Sequence, residues 1–386
     1  MTNGASSVVA MRISIGGAPS TMENHPNERQ APLSRVKPPK GAVLPRPAEV
    51  LEGAVVSVFR VPPEQAGQRL DVFLQSELRR TTRTRAQSII RLSAFDEAGR
   101  RMRPGQRLSS EQKVFLWRAA WDETPVPTDV PVLYEDDHLL AIDKPAGLPV
   151  HPTARYHKNT LIKILEGERP GQFLSLGHRL DRETSGVMLV SKTRECDRAL
   201  KRDLEARVGI EKRYKAITWG VPTDPAGLGR TAFRFEQSLE LDPDNPIGVK
   251  MCLGKTSAAL EAATRFAIVA TASRGDARYA RVDCDLETGR QHQIRVHLQA
   301  LGAPVVGDKL YGPDEHLFTR GADGELTADD LVVLEIPRHA LHAARLELAH
   351  PMTREALVID APFPKDLEEF WEGLEVEGDG DGGGRG

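Results

Sequence analysis

The sequence predicts an α+β fold on a mixed, largely antiparallel sheet, with a small α/β module ahead of it. Short apolar runs of strand length recur at Leu139–Ile142, Val187–Val190, Lys215–Trp219, Tyr279–Leu286 and Glu347–Ala349. Helical segments such as Glu195–Arg207 and Gln291–Leu301 are mixed among them, and that mixture argues α+β. Upstream, residues 51–120 read as a separate strand-and-helix unit.

In chain order, residues 1–50 hold seven prolines and little apolar periodicity, so a disordered Pro-rich extension is expected. In the module that follows, Val55 to Val61 alternates like a strand. Arg69–Leu74 and Arg85–Ile90 read as two short helices joined around Arg79 to Thr84. Leu70, Phe73, Leu74 and Leu78 recur at helical spacing and should face a core. Residues 121–131, rich in proline and threonine, read as a linker, 132–368 as the main domain, and 369–386 as an acidic, Gly-rich tail.

At 386 residues the chain is long enough for two domains with ample core. No apolar run approaches the ~18 residues of a membrane span, and the start of the chain lacks a basic head with a sustained apolar stretch. Cys196, Cys252 and Cys284 lie far apart without CxxC spacing, so neither a disulfide framework nor a zinc site is expected. A cytoplasmic monomer is the expectation. The net charge of −3 does not announce a nucleic-acid binder, but its distribution does. From Arg69 to Arg118 twelve Arg or Lys face five acids, a local +7 of the kind phosphate binding requires.

The most informative stretch is His178-Arg179-Leu180-Asp181-Arg182-Glu183-Thr184-Ser185-Gly186, followed by apolar Val187–Val190. Arginines on both sides of Asp181 favour its ionised form. A carboxylate held that way suits nucleophilic or electrostatic work better than proton donation. Alone, such an Asp is more often an ion pair anchoring a turn. The surrounding motifs decide otherwise.

The segment from His178 to Thr193 resembles the signature of the RluA-type pseudouridine synthases, which isomerise uridine in structured RNA. Four further stretches carry the resemblance, in family order over about 230 residues. Tyr134 to Pro152 matches the opening pattern EDxxLxxxxKPxGLxxHP, and Lys212-Arg213-Tyr214-Lys215-Ala216 follows downstream. Thr288 to His297 then runs on into Leu301 to Gly312, and Arg338-His339-Ala340-Leu341-His342-Ala343 with His350-Pro351 matches the closing segment. The module at 51–120 resembles a small RNA-binding module shared with a small-subunit ribosomal protein and some tRNA synthetases. It departs from that pattern at Thr84, where serine is usual, and at Phe95 to Gly99, which replace a VxVNG turn.

The resemblance implies a mixed sheet crossed by an RNA-binding cleft, with Asp181 as the catalytic carboxylate. It implies that Arg295 is the basic partner of Asp181 and that Tyr214 packs on the target base. Ile294 and Leu341 match apolar positions lining the pocket. Arg179 and Arg182 are expected to enter the RNA when the uridine is flipped out, and Arg290 to contact phosphate or the fold. No cofactor and no metal are expected: His292 and His297 lack a third ligand, and Lys144 to Gly147 lacks the nucleotide-loop pattern. The expected partner is structured RNA, with large-subunit ribosomal RNA ahead of tRNA. A catalytically inactive RNA-binding assembly factor is the rival reading. A glycoside hydrolase would need a second carboxylate as general acid, which the motif around Asp181 does not offer.

Overall fold

The computed structural model describes residues 35–36, 44, 46–50, 54–78, 81–118, 123–152, 156, 158–207 and 209–376. Most of the expected Pro-rich extension, Arg79, Arg80, Trp121 and the tail from 377 lie outside the described residues. The chain divides into two compact units, residues 1–122 and residues 123–386.

The first unit contains β1 (Arg35–Val36), β2 (Val55–Arg60), α1 (Leu70–Glu77), α2 (Arg83–Ser93), β3 (Ala94–Phe95) and β4 (Lys113–Arg118). Its four strands form one antiparallel sheet in the order β1-β2-β4-β3. Leu70, Phe73 and Leu74 of α1 pack with Ala86 and Ile90 of α2, as their helical spacing predicts. Thr82 caps α2 by accepting the Arg85 N–H. Asp71 is fully buried and accepts from Arg69, Arg83 and Gln87, so two of the basic residues serve the fold. Arg85, Arg91 and Arg103 remain exposed.

The second unit opens with β5 (Val132–Glu135), β6 (Leu139–Lys144), α3 (Leu161–Glu168), β7 (Ser175–Leu176), β8 (Ser185–Ser191) and α4 (Arg194–Ala206). Then come β9 (Ile210–Trp219), β10 (Ala232–Glu236), β11 (Leu239–Leu241), β12 (Met251–Leu253), β13 (Ala263–Arg274) and β14 (Ala277–Leu286). It ends with α5 (Gln293–Ala300), α6 (His316–Asp323), α7 (Ala328–Leu334), β15 (Leu341–Ala349), β16 (Ala356–Asp360), α8 (Lys365–Glu372) and β17 (Glu375–Val376). Eleven strands form one sheet whose main path is β10-β13-β14-β9-β15-β8-β6-β5. All its described pairings are antiparallel except β15 with β8, where His342 pairs with Ser185 and Ala343 with Gly186.

The central strands are apolar at consecutive positions because both faces of the sheet are covered. Leu140, Ile142, Met188 and Val190 enter the larger core. Their neighbours Leu139, Ala141, Val187 and Leu189 pack with Cys196 and Leu200 of α4 on the other face.

Two boundaries differ from the sequence expectation. Residues 123–131, expected as linker, belong to the second unit: Glu123 accepts the backbone N–H groups of Lys158 and Asn159, and Val126 and Val130 pack on the core. Residues 369–376, expected as tail, complete α8 and β17. Phe370, Trp371 and Leu374 continue the helical spacing of Leu367 into the core, and β17 pairs with β13. The acidic composition of the segment hid that apolar stripe. Among the described residues no helix is long and apolar enough to cross a membrane.

Candidate active site

The turn that carries Asp181 is fixed by the strand that follows it. Gly186, second residue of β8, has φ +110° and lies against β15; a Cβ there would sit 2.2 Å from the Ala343 carbonyl oxygen. Only glycine allows that approach, and the parallel pair it permits aligns the turn with the closing segment. His339 Nε2 lies 2.7 Å from Thr184 Oγ1, and His342 Nδ1 lies 2.9 Å from Ser185 Oγ. Beneath the turn, the fully buried Lys144 ammonium donates to the carbonyls of Pro145, Leu148 and Arg182 at 2.8, 3.0 and 3.1 Å. The Lys-Pro-Ala-Gly stretch is therefore a staple for this turn, with its cation turned inward.

Arg295 arrives from α5, a helix buried nearly all round: Gln293 through Leu298 are all buried. His292 precedes the helix in the left-handed region, φ +58°, an unusual conformation for a residue with a Cβ. Gln293 secures the entry by accepting from Thr288 Oγ1 at 2.6 Å and from the Arg290 N–H at 3.0 Å.

Arg295 Nη1 donates to Asp181 Oδ2 at 2.9 Å. The other edge of the guanidinium is held by Asp308, fully buried, through Nε at 2.6 Å and Nη2 at 2.8 Å. Asp308 also accepts the N–H groups of Leu310 and Tyr311. The Tyr311 ring centre lies 4.9 Å from the guanidinium carbon of Arg295. Tyr311 Oη lies 2.8 Å from His292 Nδ1, while His292 Nε2 is 3.7 Å from Asp181 Oδ1. Asp181 thus sits between a clamped guanidinium and an oriented imidazole.

Burial opposes ionisation of Asp181, but His292, Arg295 and His339 outweigh it and hold the carboxyl at about 2. Burial pushes His292 down to about 4, against the pull of Asp181, so its imidazole is neutral at neutral pH. Tyr214 is raised, first by burial and then by the Asp181 charge, so it stays a phenol. Glu183 is salt-bridged to Lys309 at 2.9 Å and to Arg182 at 3.1 Å. Burial raises its carboxyl, yet Lys309 and His339 draw it below the usual range. Neither Glu183 nor Asp308, held low by Arg295 against its burial, is placed to give up a proton near neutrality.

A cavity of about 260 Å³ opens over this pair. Asp181, Tyr214, Arg295, Arg179, Ile294, Leu341 and Arg290 all line it, so seven of the eight residues singled out in the sequence converge. Arg179 is exposed at its edge and makes no side-chain hydrogen bond or ion pair among the described residues. Arg290 does not reach Asp181; its Nε donates to the Glu261 carbonyl at 3.0 Å. Arg182 is the exception. It turns away to Glu183 and to Tyr156 Oη, so it does not line the cavity.

His292 and His297 do not converge. His292 faces Tyr311 and Asp181, whereas His297 Nδ1 is 3.0 Å from Thr264 Oγ1 and its Nε2 3.0 Å from the Gln237 carbonyl. Asp308, His292 and Lys144 were missed as contributors. Asp308 carried a signal, since a lone acid beside Gly307 and the apolar Ala303–Val306 stretch needs a buried cation.

A sequence profile described as RNA pseudouridylate synthase matches residues 138–300. The ribosomal large subunit pseudouridine synthase D of Xanthomonas campestris pv. campestris is 35% identical over 321 residues, spanning 81% of this chain and 91% of that protein. The protein of the same name from Pseudomonas aeruginosa is 32% identical over 321 residues, 80% of this chain and 92% of the relative. The solved structure of human RNA pseudouridylate synthase domain containing 1 shares the fold, with TM-score 0.50 and 21% identity over 66% of this chain and 91% of that one.

Proposed function

Because the chain belongs to the RNA pseudouridylate synthase family, we propose that it isomerises uridines of large-subunit ribosomal RNA with Asp181 as its catalytic carboxylate. The reaction breaks the N1–C1′ bond, turns the uracil and rejoins it through C5, with no atoms gained or lost. The target base must leave the RNA stack to reach a carboxylate at the floor of a cavity. Asp181, ionised at any physiological pH, attacks C1′, assists formation of a glycal or adds to C6. Each route needs an anion in this position.

Arg295 holds the carboxylate in one orientation, and Asp308 holds Arg295. Tyr214 offers a flat, protonated ring on which uracil stacks. Ile294 and Leu341, each 4% exposed, keep water from intercepting the cleaved sugar. Arg179, exposed at the cavity's edge, fills the gap left by the flipped base. The exposed arginines of α2 add affinity for the RNA backbone. The names of the relatives favour ribosomal RNA as target, and a cytoplasmic location and a reaction without cofactor accord with that reading.

The observation that carries this reading is the Asp181–Arg295 ion pair at the floor of a base-sized cavity. The test incubates wild type and Asp181→Ala with ribosomal RNA and tRNA transcripts and maps pseudouridine by chemical labelling and primer extension. Product on large-subunit RNA from the wild type alone is expected. Product on tRNA alone would reassign the target. No product on either, with both proteins binding tightly, would replace the enzyme with an RNA-binding assembly factor.

A further inference from the structure

A second cavity, of about 400 Å³, adjoins the first and shares His178, Lys212, Leu286, Gly289 and Arg290 with it. Its remaining wall comes largely from the end of α4 and the start of β9, including Lys201, Leu204, Glu205, Arg207 and Ile210. The charges lining it are unequally paired. Lys201 is bound to Asp197, and Glu287 is taken by Arg234 and Arg265. Glu205 is exposed on the rim. Arg207, Lys212 and Arg290 form no ion pair among the described residues, although all three face one space.

The backbone explains how these cations come together. Arg207 takes φ +55° at the C-terminus of α4, turning the chain toward β9. Lys212 and Tyr214 are two residues apart on β9 and so share a face, about 7 Å apart; both line the Asp181 cavity. Arg290 follows β14 and stands on the wall common to the two cavities. A nucleotide whose base lies on Tyr214 therefore brings its backbone beside Lys212.

We propose that Arg207, Lys212 and Arg290 form a phosphate subsite, which holds an RNA phosphodiester next to the uridine in the Asp181 cavity. The proposal rests on the reading of the protein as an RNA uridine isomerase and adds to it where the strand is gripped. Burial and the neighbouring Arg207 push the Lys212 ammonium down to about 8, and the same two causes lower Arg290. An anion among them relieves that repulsion. A phosphodiester supplies it without a proton, and its neighbouring base is what the first cavity takes.

The test is equilibrium binding of a fluorescent stem–loop transcript of large-subunit ribosomal RNA, titrated with salt. Arg207→Gln and Lys212→Met are each expected to bind about tenfold more weakly at low salt. Each should also reduce the log–log salt slope by roughly 0.7. Lys212→Arg, which keeps the charge, should retain the wild-type slope. Arg207 is exposed, so its variant reports even where Lys212→Met fails to fold. Arg207→Gln with a wild-type slope, or an equal loss in Arg202→Gln elsewhere on α4, would overturn the subsite. Binding needs no turnover. A wild type that shows these slopes but makes no pseudouridine would overturn the proposed activity and leave the subsite standing.

Discussion

Arg295 is shared between two carboxylates: one guanidinium nitrogen lies 2.9 Å from Asp181, and the other two grip Asp308 at 2.6 and 2.8 Å. Burial raises both carboxyls, yet His292, Arg295 and His339 at Asp181, and Arg295 with His339 at Asp308, hold them below the ordinary carboxylate range. The planar fork serves one carboxylate as anchor and presents its free corner to the other.

Asp308→Asn leaves the shape of the anchor but removes its charge and one acceptor. Arg295 then loses its fixed orientation, and kcat should fall about a hundredfold while RNA affinity changes little. Single-turnover kinetics at saturating protein separates the two effects. An equal loss in affinity would assign Asp308 to RNA binding.

Removing the cation altogether should change the pH profile. In the wild type Asp181 titrates at about 2, so it sets no acid limb in the working range. In Arg295→Met the burial of Asp181 is less opposed and its pKa rises. Residual activity should then be present at high pH and fall as pH drops through the raised value. A residual rate independent of pH would contradict the electrostatic role.

Gly186→Ala places a methyl group against the Ala343 carbonyl at a backbone angle that alanine avoids. The expected loss is roughly 3 kcal/mol or more of stability, read from denaturant unfolding. A loss under about 1 kcal/mol would show that the β8–β15 contact yields easily.

Acid should weaken the second unit through its buried histidines. His178, His292, His297, His339 and His342 are depressed to about 3 or 4, in each case first by burial. Between those values and about 6.5 the unfolded chain binds more protons than the folded one, so stability falls as pH falls. Each histidine contributes at most about 1.4 kcal/mol per pH unit. The melting temperature should decline steadily from pH 6.5 to 4. A flat curve would mean that these histidines are not buried neutral.

Lys144→Met would strand three backbone carbonyls beneath the turn that carries Asp181. A stability loss of about 2–4 kcal/mol is expected, with a fall in kcat even at temperatures where the variant is folded. Full activity in a folded variant would make Lys144 a support for the fold alone.

The arrangement at Asp181 was legible because its parts lie in motifs: Asp181, Tyr214, Arg295 with its neighbour Ile294, and Leu341 reach one cavity from four separate places in the chain. What motifs could not convey was direction. Arg182 flanks Asp181 as Arg179 does, yet the turn sends it to Glu183 and Tyr156. The strands β6, β8, β9, β14 and β15 were visible as apolar runs. β13 was not, because exposed and buried positions mix irregularly across the bulge between Ile268 and Ala270. Residues 369–376 were concealed by net charge, which says little about an apolar stripe three and four residues apart.

The parallel pairing of β8 with β15 also has a consequence in time. Ser185 and His342 are 157 residues apart in sequence, and their contact closes a loop containing most of the second unit. Contacts of such separation form late. During synthesis the turn with Asp181 leaves the ribosome long before the strand that sets it. In a nascent chain the turn with Asp181 therefore stays unset until β15 has been made.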